Sequence, residues 1–299
     1  MATSLPMTGT ALGPLVELVR PKDWVKNALV AAPLVFGGRL LDGEALRNVG
    51  IAIVALSLAA SAGYVANDLR DVEFDRLHPV KRRRPLASGA VRPGVAWALA
   101  LGLGGSALLV AATLGPGLLA MVGSYLVLAL AYTWWIKELV ILDVLAIGAF
   151  YVLRVEAGAV AAGIPASDWL LIATGLLAVF IGLSKRRHEL VLLGSGAGDH
   201  RGVLGRYSER FLDPAISLTT STTLITYLLY AMSPETVEKF GSRGMLAGGP
   251  FVLYGLLRYL HLVYSEGRGG SPTDLVITDP GVLVAALGFG IVCGFVVYF

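Results

Sequence analysis

The chain has 299 residues, 56% of them hydrophobic and 15% charged, with a formal net charge of +3 and a mean hydropathy of +0.72. Soluble globular domains carry about 25% charged residues, so this composition excludes a soluble globular fold and predicts a membrane-embedded one. A single cysteine, Cys293, excludes an intrachain disulfide and a cysteine-based zinc site.

A helix needs roughly 20 apolar residues to cross a bilayer. Nine apolar segments qualify, at 24–41, 47–66, 93–113, 117–135, 140–162, 168–185, 213–232, 245–264 and 280–299. Gly, Pro or charged residues break the chain between them, and no low-complexity linker divides it. The expected architecture is therefore all-α: one polytopic domain over residues 1–299, with nine transmembrane helices in a bundle. Residues 1–18 show no basic stretch followed by a long apolar one, so no cleavable signal peptide is expected.

At the start of the first segment, Arg20-Pro21-Lys22-Asp23-Trp24-Val25-Lys26-Asn27 sets two ammonium groups, Lys22 and Lys26, four residues apart. They suit a phosphate, or interfacial anchoring beside Trp24. The second segment runs into Asn67-Asp68-Leu69-Arg70-Asp71-Val72-Glu73-Phe74-Asp75. Read as helix, Asn67, Asp71 and Asp75 follow one another at i, i+4 and i+8, and Asp68 shares their broad face. Carboxylates this close repel unless a cation offsets them. Hard oxygen ligands with open positions suit Mg²⁺ (or Mn²⁺) held jointly with a phosphorylated substrate; the alternative is a solvated acidic loop. Lys81-Arg82-Arg83-Arg84-Pro85 follows, and four cations behind three carboxylates fit a diphosphate whose charge exceeds what one metal neutralises.

Tyr132 and Lys137 close the fourth segment, as interfacial anchors or as substrate ligands. In the fifth, Asp143 and Arg154 lie about three helical turns apart on one face. A charge within the hydrocarbon region is expensive unless paired or facing a polar cavity. Arg154 therefore reads either as half of an intramembrane ion pair or as a phosphate ligand. The sixth ends in Ser184-Lys185-Arg186-Arg187-His188-Glu189, either a topology signal or an anion receptor. The loop after it carries His200, Arg201, Arg206 and Tyr207, with glycines that suit a lid.

Most of the 24 Lys and Arg fall on one side if the N-terminus is cytoplasmic. That orientation places the aspartates at the cytoplasmic face of the membrane and Phe299 outside. It also accounts for a pI near 9.0 without nucleic acid.

Asn67-Asp68-x-x-Asp71-x-x-x-Asp75, followed by Arg-Pro-Leu-Ala-Ser-Gly at 84–89, resembles the first signature of the UbiA-type intramembrane prenyltransferases. The Tyr132/Lys137 segment and the stretch from Asp143 to Gly158 look like that family's fourth and fifth helices. The resemblance implies a helical bundle whose central cavity opens to the cytoplasm and sideways to lipid, with the first motif binding Mg²⁺ and the donor diphosphate. One departure bears on the substrate: where the family has a second aspartate-rich motif, this chain has Lys185 to Glu189.

That pattern, with the Arg-Pro-Lys-Asp-Trp-x-Lys-Asn start, looks like the branch that transfers 5-phosphoribose from phosphoribosyl pyrophosphate (PRPP) to polyprenyl phosphate for cell-envelope arabinan synthesis. On this reading Asn67, Asp68, Asp71 and Asp75 hold the metal. Lys26, Lys81, Arg82 and Lys137 take the remaining diphosphate charge, Lys185 and Arg186 bind the 5-phosphate or the acceptor head group, and Arg154 steers the lipid phosphate. No general base is required. The rival readings are prenyl transfer to an aromatic acceptor, which Lys185 to Glu189 disfavours, and a non-enzymatic transporter. The expected partners are PRPP, the polyprenyl phosphate and the bilayer; a homo-oligomer is left open.

Overall fold

The computed structural model describes residues 12–193, 202–270 and 272–299. His200 and Arg201 lie outside them. The described residues contain helices and no strand. The helices are α1 (Leu12–Val19), α2 (Ala32–Phe36), α3 (Gly43–Arg70), α4 (Val72–Leu77), α5 (Pro93–Ala112), α6 (Pro116–Trp134) and α7 (Leu142–Ala162). After them come α8 (Asp168–Leu193), α9 (Glu209–Met232), α10 (Pro234–Phe240), α11 (Gly249–Tyr264), α12 (Pro272–Thr278) and α13 (Pro280–Tyr298).

Among the described residues, eight helices are long and apolar enough to cross a membrane, α11 counting together with its leading turn from Gly244. They correspond to eight of the nine predicted segments. The first departs from expectation. Residues 24–41 form no long α-helix; Pro21–Ala31 is a 3₁₀ helix of eleven residues, continued by the five residues of α2. A 3₁₀ helix repeats every three residues, so Trp24, Asn27 and Val30 share a face. That face lies on the bundle. Trp24 Nε1 donates to Ser61 Oγ (3.0 Å), Asn27 Nδ2 donates to Ser57 Oγ (2.8 Å), and the Val30 carbonyl abuts Gly158 of α7. The segment thus runs antiparallel to α3, from Arg20 beside Asp68 to Leu40, whose N–H donates to the Tyr298 hydroxyl.

Two apolar cores share α7. One packs α3, α5, α6 and α7 around buried small side chains such as Ala52, Ala55, Ala59, Ala107 and Ala157. Small residues let membrane helices approach closely where no hydrophobic drive separates protein from lipid. The other joins α7, α8, α9 and α11 through Val144, Phe180, Ile216, Leu256 and Leu262. Helix starts are fixed locally: the Asp42 carboxylate accepts from Glu44 and Ala45 N–H at α3, and Ser208 and Asp279 cap α9 and α13 in the same way. Because α7 belongs to both cores, two of its three charged groups, Asp143 and Arg154, are buried between them, while Glu156 is only partly buried.

Candidate active site

The acidic stretch sits where α3 gives way to α4. Asp71 breaks the helix (φ −94°, ψ 4°), yet Asp71 N–H donates to the Asn67 carbonyl and Asp75 N–H to the Asp71 carbonyl, so the helical spacing persists across the break. Each carboxylate meets a cation. Arg84 Nη1 donates to Asp68 Oδ1 (3.0 Å) and to Asp75 Oδ2 (2.8 Å). Arg20 Nη2 reaches the same Asp68 oxygen at 2.5 Å. Lys137 Nζ donates to Asp71 Oδ1 and to Asn67 Oδ1 (3.2 Å), and Asn67 Nδ2 closes the ring on Asp71 Oδ2 (2.9 Å).

The two kinds of pair are oriented oppositely. Asp68 and Asp75 are buried while their arginines remain about a quarter exposed; Lys137 is buried while Asp71 is a quarter exposed. Burial pushes the Asp75 carboxyl above its usual range, with Arg84 pulling against it. Burial likewise opposes the charge on Arg20, and Asp68 more than restores it. Arg20 holds its position in a left-handed backbone conformation (φ 55°, ψ 59°), strained for a residue with a side chain.

A second group lies at the start of α7. Asp143, fully buried, accepts from Arg186 Nε (2.8 Å) and from the Tyr207 hydroxyl (2.7 Å). Arg186 also donates to Glu189 (2.9 Å) and reaches the Tyr132 hydroxyl at 3.4 Å. The Tyr207 hydroxyl in turn accepts the N–H of Ile141, whose φ of 72° is exceptional for a β-branched residue. The third group surrounds Arg154. This buried guanidinium donates to Asn27 Oδ1 (2.8 Å), the Phe150 carbonyl (2.9 Å) and the Tyr125 hydroxyl (2.7 Å), and stands over the rings of Tyr125 and Tyr151. Among the described residues it pairs with no carboxylate. Tyr64, one turn before Asp68, links this group to the first, because Arg20 and Lys26 both lie over its ring.

Of the residues singled out in the sequence, the structure therefore gathers Asn67, Asp68, Asp71, Asp75 and Lys137, with Lys81 in electrostatic reach of Asp75. It places Tyr132 with Arg186, and Lys26 and Arg154 in electrostatic reach of the same two rings, Tyr125 and Tyr151. Lys22 and Arg82 are exposed, and Lys185 is half-buried. Lys22 and Lys26 are not one turn apart on a 3₁₀ helix; Lys26 instead bonds Asp23, three residues away, at 2.6 Å. The same-helix pairing of Asp143 with Arg154 does not form. Arg186, read as an anion receptor, has its charge met by Asp143 and Glu189. Arg20, Asn27, Tyr64, Tyr125 and Tyr151 escaped the sequence reading as site residues, although Arg20 and Asn27 stand in a motif it quoted, and Arg84 entered it only as one of four cations.

The donor set at the α3 end, an amide and three carboxylates, fits a hard cation such as Mg²⁺. Among the described residues, no three His, Cys, Asp or Glu side chains gather about a common point. The carboxylates face cations instead.

Residues 28–271 match the model of the UbiA prenyltransferase family. The chain belongs to that family. It is thus an integral membrane enzyme. The chain is similar to a decaprenyl-phosphate phosphoribosyltransferase of Mycobacterium tuberculosis, with 36% identity over 92% of this chain and 91% of the relative. It is 34% identical to a Corynebacterium glutamicum protein of the same name, over 92% and 84% of the two chains. In structure it resembles a UbiA homolog from Archaeoglobus fulgidus bound to GPP and Mg²⁺, with a TM-score of 0.74, 17% identity and coverage of 95% and 99%. That likeness establishes the fold of this UbiA-family chain.

Proposed function

We propose that this UbiA-family enzyme transfers 5-phosphoribose from PRPP to a polyprenyl phosphate, decaprenyl phosphate in the first instance, releasing pyrophosphate. The observation that carries the reading is Arg154: a buried cation, set behind the acidic site, whose hydrogen-bonding partners are all neutral. Two anionic reactants need two separate cationic receptors. The α3 end with its basic neighbours supplies one and Arg154 with Lys26 the other. A neutral aromatic acceptor has no use for the second, and an aromatic acid would need it only for a single carboxylate charge. The names of the curated relatives, at 31–36% identity over most of their length, support the same choice.

Asn67, Asp68, Asp71 and Asp75 would hold Mg²⁺, which makes pyrophosphate a better leaving group when bound. Lys137, Arg84, Arg20 and Lys81 bind the diphosphate oxygens. Arg154 orients the lipid phosphate toward C1 of the ribose. An oxygen of that phosphate forms the new bond to C1 as the C1–oxygen bond to pyrophosphate breaks, inverting C1. The attacking oxygen is already anionic at neutral pH, so no residue acts as base. The chain's contribution is positioning and charge stabilisation. Arg186, held by Asp143 and Glu189, acts as a brace between α7 and α8, and Lys185 beside it remains a ligand for the 5-phosphate or head group.

The Pro21–Phe36 segment supports a ninth crossing. At about 2.0 Å per 3₁₀ residue and 1.5 Å per α residue it covers about 30 Å, the thickness of a hydrocarbon core. With the N-terminus cytoplasmic, the active site faces the cytoplasm and the product is made where it can feed cell-envelope arabinan synthesis.

The test is purified protein in detergent with Mg²⁺, radiolabelled PRPP and decaprenyl phosphate, run beside a prenyl diphosphate with an aromatic acid. Labelled lipid plus stoichiometric pyrophosphate from the first mixture alone is expected. Product from the second mixture only would overturn the assignment.

A further inference from the structure

Three carboxylates at the α3 end meet three cations: Asp68 with Arg20 and Arg84, Asp75 with Arg84, and Asp71 with Lys137. Lys81 adds a fourth positive charge within reach of Asp75. From these pairings we infer that Arg20, Arg84 and Lys137 are resident counter-cations that shut the acidic site to free divalent metal, so that metal and diphosphate bind only together. The inference rests on the proposed reading of this site as a metal–diphosphate receptor.

A lone divalent cation meets an acidic cluster whose charge is already cancelled. To gain the bonded oxygens of Asp68 and Asp75 it must displace two guanidinium groups, Arg84 from both carboxylates and Arg20 from Asp68, and to gain Asp71 Oδ1 it must displace a buried ammonium. Pulling one partner from a buried ion pair leaves the other uncompensated, which is strongly unfavourable. Lys137 has the less favourable exit of the two, because its side chain is only 6% exposed.

A diphosphate changes the balance. It offers oxygens to each displaced cation, and a guanidinium binds phosphate bidentately, at least as well as it binds a carboxylate. The geometry favours that exchange. Arg20 and Arg84 are each about a quarter exposed, so incoming phosphate reaches them before it reaches the buried Asp68 and Asp75. Asp71 is the exposed partner of its own pair, so a metal arriving with the diphosphate touches Asp71 first. Each ligand thereby prepares the site for the other, and the coupling is equal in both directions because it is a binding free energy.

The experiment titrates Mn²⁺, visible by electron paramagnetic resonance, into the purified full chain in detergent, alone and with saturating pyrophosphate. Mn²⁺ is expected to bind at least roughly tenfold more tightly when pyrophosphate is present, within the usual span of coupled sites. Arg84→Gln should tighten binding of Mn²⁺ alone, weaken binding with pyrophosphate, and so collapse the ratio. Lys137→Gln, which frees Asp71 from a different structural element, should do the same if Arg84→Gln does not fold. Equal affinity with and without pyrophosphate in the wild-type chain overturns the inference, as does a ratio unchanged in the variant that folds. Asp71→Asn addresses the underlying reading: it should abolish Mn²⁺ uptake with pyrophosphate. Wild-type behaviour from Asp71→Asn would mean that the receptor itself lies elsewhere.

Discussion

Arg154 Nε donates to Asn27 Oδ1 at 2.8 Å, so this buried cation is held by a neutral amide from a 3₁₀ segment far away in sequence. A protein that needed this arginine only for stability would gain by placing a carboxylate at residue 27. Asn27→Asp would do that with almost no change of shape, and Ser57, which now accepts from the amide, would donate its hydroxyl proton to the new carboxylate. Thermal stability in detergent should hold or rise. Phosphoribosyl transfer should fall roughly tenfold or more, a loss of about 1.4 kcal/mol or greater in binding or transition-state energy, because the receptor is now self-neutralised. Full activity in Asn27→Asp would remove Arg154 from the mechanism.

The pair Asp143–Arg186 makes the opposite prediction. It is fully buried, and Asp143→Asn leaves Arg186 with Glu189 as its one charged partner. Destabilisation of about 3–5 kcal/mol is expected, the usual result of removing one member of a buried pair. The combined Asp143→Leu, Arg186→Met variant should recover part of that loss, since no charge is then stranded. Denaturation curves of the wild type, the singles and the double in one detergent read the coupling directly.

Gly158 marks the closest approach of α7 to the 3₁₀ segment. A Cβ there would stand 1.8 Å from the Val30 carbonyl oxygen, and backbone cannot yield as a side-chain tip can. Gly158→Ala should destabilise the chain by about 1–3 kcal/mol or more and lower activity with it, by displacing Asn27 from Arg154. Gly50, within α3, has open space where a methyl group would stand, and Gly50→Ala should be neutral or stabilise by up to about 1 kcal/mol. The contrast between two Gly→Ala changes separates a packing requirement from a helix-propensity effect.

Asp279 gives the pH dependence. Its hydrogen bond from Arg258, reinforced by the Val282 N–H it caps, lowers its pKa to about 2. The unfolded chain titrates this carboxyl near 3.9. The folded value is the lower one, so the stabilisation is fully present above about pH 4 and is lost as pH falls through about 2. Asp279→Asn keeps an oxygen to cap the helix but loses the charge that meets Arg258, and should lower stability by up to about 1 kcal/mol at pH 7. The gap between the variant and the wild type should narrow below pH 4. Melting temperatures of both proteins across that range check it.

The acidic end of α3 was legible because an apolar run of spanning length leads straight into oxygen side chains at helical spacing. Eight of the nine predicted segments were legible for the same reason. The partners of the charges were not. Asp143 and Arg154 share a face of α7, but three turns are about 16 Å of axis, too far for contact. Each finds its partner on another element, Arg186 and Asn27 respectively, and no periodicity within one helix reports that. Arg84 reaches Asp68 and Asp75 because the chain turns extended just before Pro85 (φ −58°, ψ 147°), a tertiary consequence of the loop. The first segment misled for a simpler reason. Counted in fours, Lys22 and Lys26 pair; counted in threes, Trp24, Asn27 and Val30 line up, and the backbone counts in threes.

That count also sets a length. The 3₁₀ segment delivers Arg20 to Asp68 at one end while Val30 rests on Gly158 near the other. Rewound as α-helix, its eleven residues would be shorter by about 5 Å. Arg20 would then no longer reach the carboxylate it shares with Arg84. The winding of the first segment is therefore a ruler for the active site, and a residue inserted or deleted between Arg20 and Val30 would be felt in the charge around Asp68 before it was felt in the core.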